Sequence, residues 1–440
     1  MSNTLAALRA AMVERCATAP SDAARAHARL LVLDTVGCAL AGRRVPEVSA
    51  LETLLAQRDP GGFRIAAGAG LTVTAAAQVL AMAATWHEAC EGHAAAHGRP
   101  GVPVIAALLP LALQRGASLG QFVDAVVFGY EIGARAGAWL RIRPGMHVDG
   151  NWPALGVAAG ATALLGLDAV GIARAVDVAA CQLPTSLYLP VTAGCTARNT
   201  YLGHSATLGL DAAYAALAGI DAPAGVLDHY ALDHSAAQGD EAPDPGEEWI
   251  LAAYLKPYAA VRHVHYGATA ARRLRDDLGG ATGDIRGIAL SIYQEAITYC
   301  GNRAPRTPIQ AQFSLAFGVA AMLRFGDLAP DAYEPGRFDD AELRRLEALV
   351  EVRPDADLTD RAERGATLRL AVGDRELVES VGTIPGDAAR PLTETQVVGK
   401  FLRYACGGSI SASAGERQAG LWLHGSAETA LETVWALLDD

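Results

Sequence analysis

APSDAARAHARLLVLDTVGCALAG, residues 19–42, decides the fold class. Ser21 or Asp22 can cap a helix here, because a short oxygen side chain accepts a free backbone N–H. Leucines and alanines then recur at helical spacing, and Gly42 is the expected C-terminal stop. VTAAAQVLAMAATWHEAC (73–90) and LGQFVDAVVFGYEIGARAGAWL (119–140) repeat the pattern. Residues 1–255 therefore read as helix after helix. Their many small side chains let helices approach closely, as in a large bundle with buried central helices.

From residue 256 the texture changes. IRGIALSIYQEAITYC (285–300), VEVRPDADLTD (350–360) and ATLRLAVGDRELVESVGTI (366–384) hold alternating β-branched residues bounded by Gly, Pro and Asp, which are strand signals. AQFSLAFGVAAMLRFG (311–326) between them is helical. TETQVVGKFLRYACGGSI (393–410) and SAETALETVWALLDD (426–440) return to helix, so the chain end is expected to rejoin the first helices. The expected fold is mainly α. It has a large all-helical domain from residues 1–255 and 396–440, and a smaller α+β domain from 256–395.

The 440 residues are 51% hydrophobic and 19% charged, with a net charge of −12. That balance suits a globular chain and argues against nonspecific nucleic-acid binding or a basic membrane-surface role. No stretch reads as a membrane span, and the first residues show no secretory pattern. Seven scattered cysteines without a CxxC pair suit reduced thiols, so the expected location is cytoplasmic.

Several chemistries lack their spacing. WHEACEGHAAAHGRPGVP (86–103) crowds three histidines and three acids or thiols together, but His87-Glu88 is not followed by the second histidine of HExxH. No metal site is expected. CGGSISASAG (406–415) lacks the GxSxG of a nucleophile elbow. Neither a strand–GxGxxG–helix unit nor a Walker sequence is present.

What remains is a set of separated polar clusters. They are GMHVDGNW (145–152), GCTARNTYLGHSA (194–206) and LKPYAAVRHVHYGA (255–268), beside the 86–103 stretch. Each sets cations among Gly, Ala and aromatics, where charge must be paired or functional. Arg198, Lys256 and Arg262 can together bind carboxylates, arginine through its two-pronged fork. The other reading is that they pair with internal acids such as Asp34 or Glu131.

These clusters resemble the MmgE/PrpD family, which includes 2-methylcitrate dehydratase, cis-aconitate decarboxylase and iminodisuccinate epimerase. LLVLDTVGCALAG, GYEIGARAG, GMHVDGNWPALGVAAGATALLGLD, GCTARNTYLGHSATLGLDAAYAALAG, YLKPYAAVRHVHYGATAA, AQFSLAFGVAA and PLTETQVVGKF follow in the family's order over nearly the whole chain. The resemblance implies that the α+β domain is a lid, with a cleft beneath it. It also implies a homodimer, no cofactor, and a small anionic di- or tricarboxylate as substrate. The shared chemistry breaks a bond at a carbon beside a carboxylate, which demands cations for the developing enolate and a positioned base.

The 86–103 stretch departs from the family. Arg99 stands where the family histidine is usual, with His97 two residues away. Glu88 falls on the first family aspartate, and Arg198 on the family lysine. His147 keeps the GxH histidine. Lys256, Tyr258, Arg262 and His265 match the KPY…R..H pattern, while Val261 replaces a cysteine or histidine. His147 is the leading base candidate, because imidazole titrates near neutral pH, with Glu88 or His97 as a second proton-transfer group. Arg99, Arg198, Lys256 and Arg262 hold carboxylates, and Tyr258 and His265 orient them. The expected activity is a 2-methylcitrate dehydratase-like hydro-lyase. An epimerase, which needs no leaving-group acid, stays open, as does a noncatalytic carboxylate-binding scaffold.

Overall fold

The computed structural model describes residues 18–140, 142–223, 226–227, 247–406 and 410–436. Residues 1–17, on which most of the reading of the amino-terminus rests, and Ser409 of the CGGSI segment lie outside them. Helices dominate, as the patterning requires. Ser21 does cap the helix Asp22–Arg43, its hydroxyl accepting the Ala24 N–H at 3.1 Å. Gly42 does not stop that helix, which runs on to Arg43. A side chain at Gly42 would strike the backbone of Ala83. The glycine is there for the crossing of this helix with Val73–Thr85, not for a left-handed turn.

The same logic builds the centre of the bundle. Helices Leu119–Trp139 and Pro153–Leu164 cross through Gly129, Gly133, Gly156 and Gly160. A Cβ on Gly129 would lie 2.8 Å from the Gly156 carbonyl oxygen, and one on Gly156 would lie 3.0 Å from the Gly133 Cα. Small residues therefore set the interaxial distance. Around this crossing pack Gly101–Gln114, Ala169–Ala180 and Tyr201–Leu217.

A four-stranded sheet forms the second region. Its order is Val350–Pro354, Ile285–Ile292, Ala366–Val372, Arg375–Val381. The first pair is parallel and the other two are antiparallel. Helices Arg262–Asp277 and Leu315–Phe325 pack beside it. Strand signals overran in two places: YQEAITYC follows strand Ile285–Ile292 as the helix Gln294–Cys300, and ADLTD follows strand Val350–Pro354 as the short helix Ala356–Asp360. The late helix Glu394–Ala405 packs back onto Asp22–Arg43, with Phe401 against Gly37.

The helix-rich region is not purely helical. Gly92–His93 pairs antiparallel with Ala253–Tyr254, and Met146–His147 with Ser186–Leu187. These two-residue ladders are short, but they fix the loops that carry the polar clusters. No helix among the described residues is long and apolar enough to cross a membrane.

Candidate active site

The stretch 86–103 leaves helix Val73–Thr85 and turns until helix Gly101–Gln114 begins. His93 and His97 therefore share no helix face. Glu88 and His97 both adopt φ of +54°, a left-handed conformation that side chains rarely take and that gathers at functional sites. Pairing of Gly92 with Tyr254 sets the stretch beside Lys256. Pairing of His147 with Ser186 sets that histidine beside Tyr188, whose ring stacks on it at 5.8 Å.

Together these loops line a cavity of about 340 Å³. On one side a buried charge cluster is centred on Glu88. Lys256 Nζ donates to its Oε1 at 2.6 Å, and Arg99 Nη1 to its Oε2 at 2.8 Å. Arg198 also donates to Oε2. Arg99 in turn forks onto Asp149, and the Asp149 backbone carbonyl accepts from the Ser205 hydroxyl at 2.7 Å. Arg198 lies over the Phe313 ring, 5.4 Å from its centroid. Burial pushes the Glu88 carboxyl up, but Arg198, Arg99 and Lys256 outweigh it and hold the group well below the usual carboxylate range. For Asp149, burial raises the carboxyl and Arg99 overrides it, so this pKa is also lowered. Three cations against two carboxylates leave the cluster with one excess positive charge.

His147 adjoins this cluster. Burial lowers its pKa to about 4, against the pull of Asp149, so the ring is neutral near pH 7. Its Nδ1 accepts the Asp149 backbone N–H at 3.2 Å. That bond fixes the proton of the neutral ring on Nε2. In this tautomer His147 offers the cavity an N–H donor, where the base role expected from the sequence needs a lone pair.

Arg262 also lines the cavity, but Asp387 holds its guanidinium at 2.6 Å. His97 is exposed among the lining residues. Tyr258 and His265, by contrast, do not line it. The His265 ring is 1% exposed, and its Nε2 is bonded to the Ala260 carbonyl oxygen at 3.0 Å. Tyr258 packs on that ring at 5.2 Å. The residue of the HVH triplet that reaches the cavity is His263. Residues two apart on a helix point to different sides, so only one of the two could. His263 Nδ1 lies 2.6 Å from the Tyr293 hydroxyl, and burial lowers its pKa to about 3.

The acids that pair with the cations are not the expected ones. Asp34 pairs with Lys400, and Glu131 accepts the Ile250 N–H and meets Arg135. Glu88, Asp149 and Asp387 take the cavity cations instead. Asp149 was visible as the one acid in GMHVDGNW, and His263 as the neighbour of a matched arginine. Lys400, from PLTETQVVGKF, had no local signal. Its ammonium binds Asp34 at 2.6 Å, the Ala89 carbonyl at 2.6 Å and the Lys256 carbonyl at 2.8 Å, so it ties the cluster from behind. Glu91 also lies behind the cluster. Its Oε1 accepts the N–H groups of Gly101 and Val102 at 2.8 and 3.1 Å, yet burial lifts its pKa to about 8.

Comparison with known families adds an independent line. Residues 9–236 match the MmgE/PrpD N-terminal domain, and residues 258–421 match the MmgE/PrpD C-terminal domain. A search among curated proteins found no match. The two matches follow one another in order and take in every loop that lines the cavity except the Tyr254–Lys256 segment, which lies between them. The chain belongs to the MmgE/PrpD family.

Proposed function

We propose that this protein is a lyase or isomerase that removes a proton from a carbon beside a carboxylate. The observation that carries the reading is the buried Glu88–Arg99–Arg198–Lys256–Asp149 cluster, which keeps one excess positive charge at a cavity wall. A substrate carboxylate seated there becomes dianionic when the proton leaves, and fixed cations stabilise that charge more than they stabilise the ground state.

In this reading His263 takes the proton. The reading requires the tautomer in which Nδ1–H donates to the Tyr293 hydroxyl, which leaves the Nε2 lone pair for the substrate. His147 presents Nε2–H as a hydrogen bond to a departing hydroxyl, and the proton held by His263 passes to that hydroxyl as it leaves, so dehydration is the first choice. The C–H pair becomes the new C=C bond, the C–O bond breaks, and hydroxide leaves as water. The 2-methylcitrate dehydratase-like assignment is the family's version of this step. Epimerisation is the second reading, favoured by the presence of two histidines, His147 and His263, in one cavity lining. The region 256–395 acts as the lid, and closure excludes water.

Proton NMR in D₂O with a panel of mono-, di- and tricarboxylates tests the proposal. Deuterium at a carbon beside the carboxylate supports it, and the product signals separate dehydration from epimerisation. Acids that bind without exchanging would instead point to a carboxylate-binding protein.

A further inference from the structure

The cavity's charges are mostly spoken for. Within the cluster, Glu88 and Asp149 offset two of the three cations. Of the other lining arginines, Arg262 is held by Asp387 at 2.6 Å, and Arg364 meets Glu295 at 3.5 Å. Arg143 is exposed at the cavity, where water and salt screen it. Among the described residues, a second or third carboxylate would enter with no free buried cation to receive it, and an unpaired buried charge is costly.

Besides the histidines and the tyrosine hydroxyls, the remaining lining is apolar. Leu140, Met146 and Val148 come from one loop. Tyr188 and Phe313 contribute ring faces and meet edge-to-face at 6.4 Å. Phe313 also carries the Arg198 guanidinium, so this aromatic surface begins at the charge cluster itself. Cation and apolar wall thus adjoin, which is the layout for an amphipathic acid.

We propose that the acid accepted here carries a single carboxylate on the Glu88-centred cluster and an apolar or aromatic body against Leu140, Met146, Val148, Tyr188 and Phe313. This rests on the reading of the cluster as the carboxylate seat. It departs from the compact di- or tricarboxylate that the family resemblance implies. For a 3-hydroxy acid of this class, the C2 proton passes to the base, the C2–C3 double bond forms, and the C3 hydroxyl leaves as water.

Calorimetric titration of the full chain with 3-phenylpropanoate and with propane-1,2,3-tricarboxylate tests it. The first should bind on the order of tenfold to hundredfold more tightly, the range that burial of one aromatic ring supplies. Met146→Lys should shrink or reverse that ratio. Tighter binding of the tricarboxylate to the unaltered protein overturns the inference, as does failure of both to bind. A parallel D₂O experiment with 3-hydroxy-3-phenylpropanoate keeps the two readings apart. Binding preference without exchange at C2 leaves this inference standing and counts against proton abstraction.

Discussion

Glu88 and Arg198 form an ion pair from which water is almost wholly excluded: the arginine side chain is 0% exposed and the glutamate 3%. Lys256 and Arg99 share the same carboxylate. Removing it leaves three buried cations with only the Asp149 carboxylate between them. Glu88→Ala should therefore lower the unfolding free energy by about 3–5 kcal/mol, the usual cost of breaking a buried pair. Chemical denaturation measures this. A loss below about 1 kcal/mol would mean that the cluster is far wetter than its burial indicates.

His263 and His265 differ in what they face, so their substitutions should separate. His263→Gln should slow proton exchange by about 10²–10⁴-fold, with ligand binding nearly unchanged. His265→Gln should destabilise the fold through its lost bond to Ala260, while exchange per folded molecule stays close to the original. NMR exchange rates normalised to the folded fraction distinguish the two. Equal loss from both substitutions would return His265 to the site.

The pH dependence of stability should slope on both sides. His93 and His147 titrate near pH 4 when folded, against 6.5 for a free ring. The unfolded chain takes up those protons first, so stability falls as pH drops from 6.5 towards 4. Glu91 has the opposite sign, with a folded value of about 8 against 4.5. Its contribution is full at low pH and is lost as pH rises from 4.5 to 8. Glu91→Gln keeps a carbonyl for the Gly101 and Val102 N–H groups. It should therefore remove that slope, which is at most about 1.4 kcal/mol per pH unit. Denaturation curves for both proteins between pH 4 and 8 provide the check.

Lys400 is a structural counterpart to the cavity cations. Lys400→Met leaves Asp34 buried without its partner, in a site where burial already raises its carboxyl. A loss of about 3–5 kcal/mol is expected, and the double substitution with Asp34→Leu should recover part of it. The four-protein thermodynamic cycle measures the coupling. Purely additive losses would show that the two groups do not depend on each other.

Helix positions were legible because their cause is local. The Ser21 cap and the alternation in 366–384 sit within a few residues of what they determine. Gly42 misled because a close approach by Ala83, far along the chain, dictates it as firmly as a turn would. The candidate site was legible as a set of residue types but not as a set of pairings. Arg99, Arg198 and Lys256 were all found, yet which acids meet them depends on two short ladders that no periodicity announces. The choice between His263 and His265 needed the direction of one helix turn. The resemblance pointed to the member that is buried.

The Lys400 ammonium also sets an order of events. It reaches the carbonyl of Lys256, 144 residues earlier, and Asp34, 366 residues earlier. Chains fold from the amino-terminal side as they are made. The bundle and the sheet can thus take shape on the ribosome while the wall of the site still lacks its rear support. The helix Glu394–Ala405 supplies that support only once it has emerged, so a chain stopped before Lys400 carries every cavity cation named above without it.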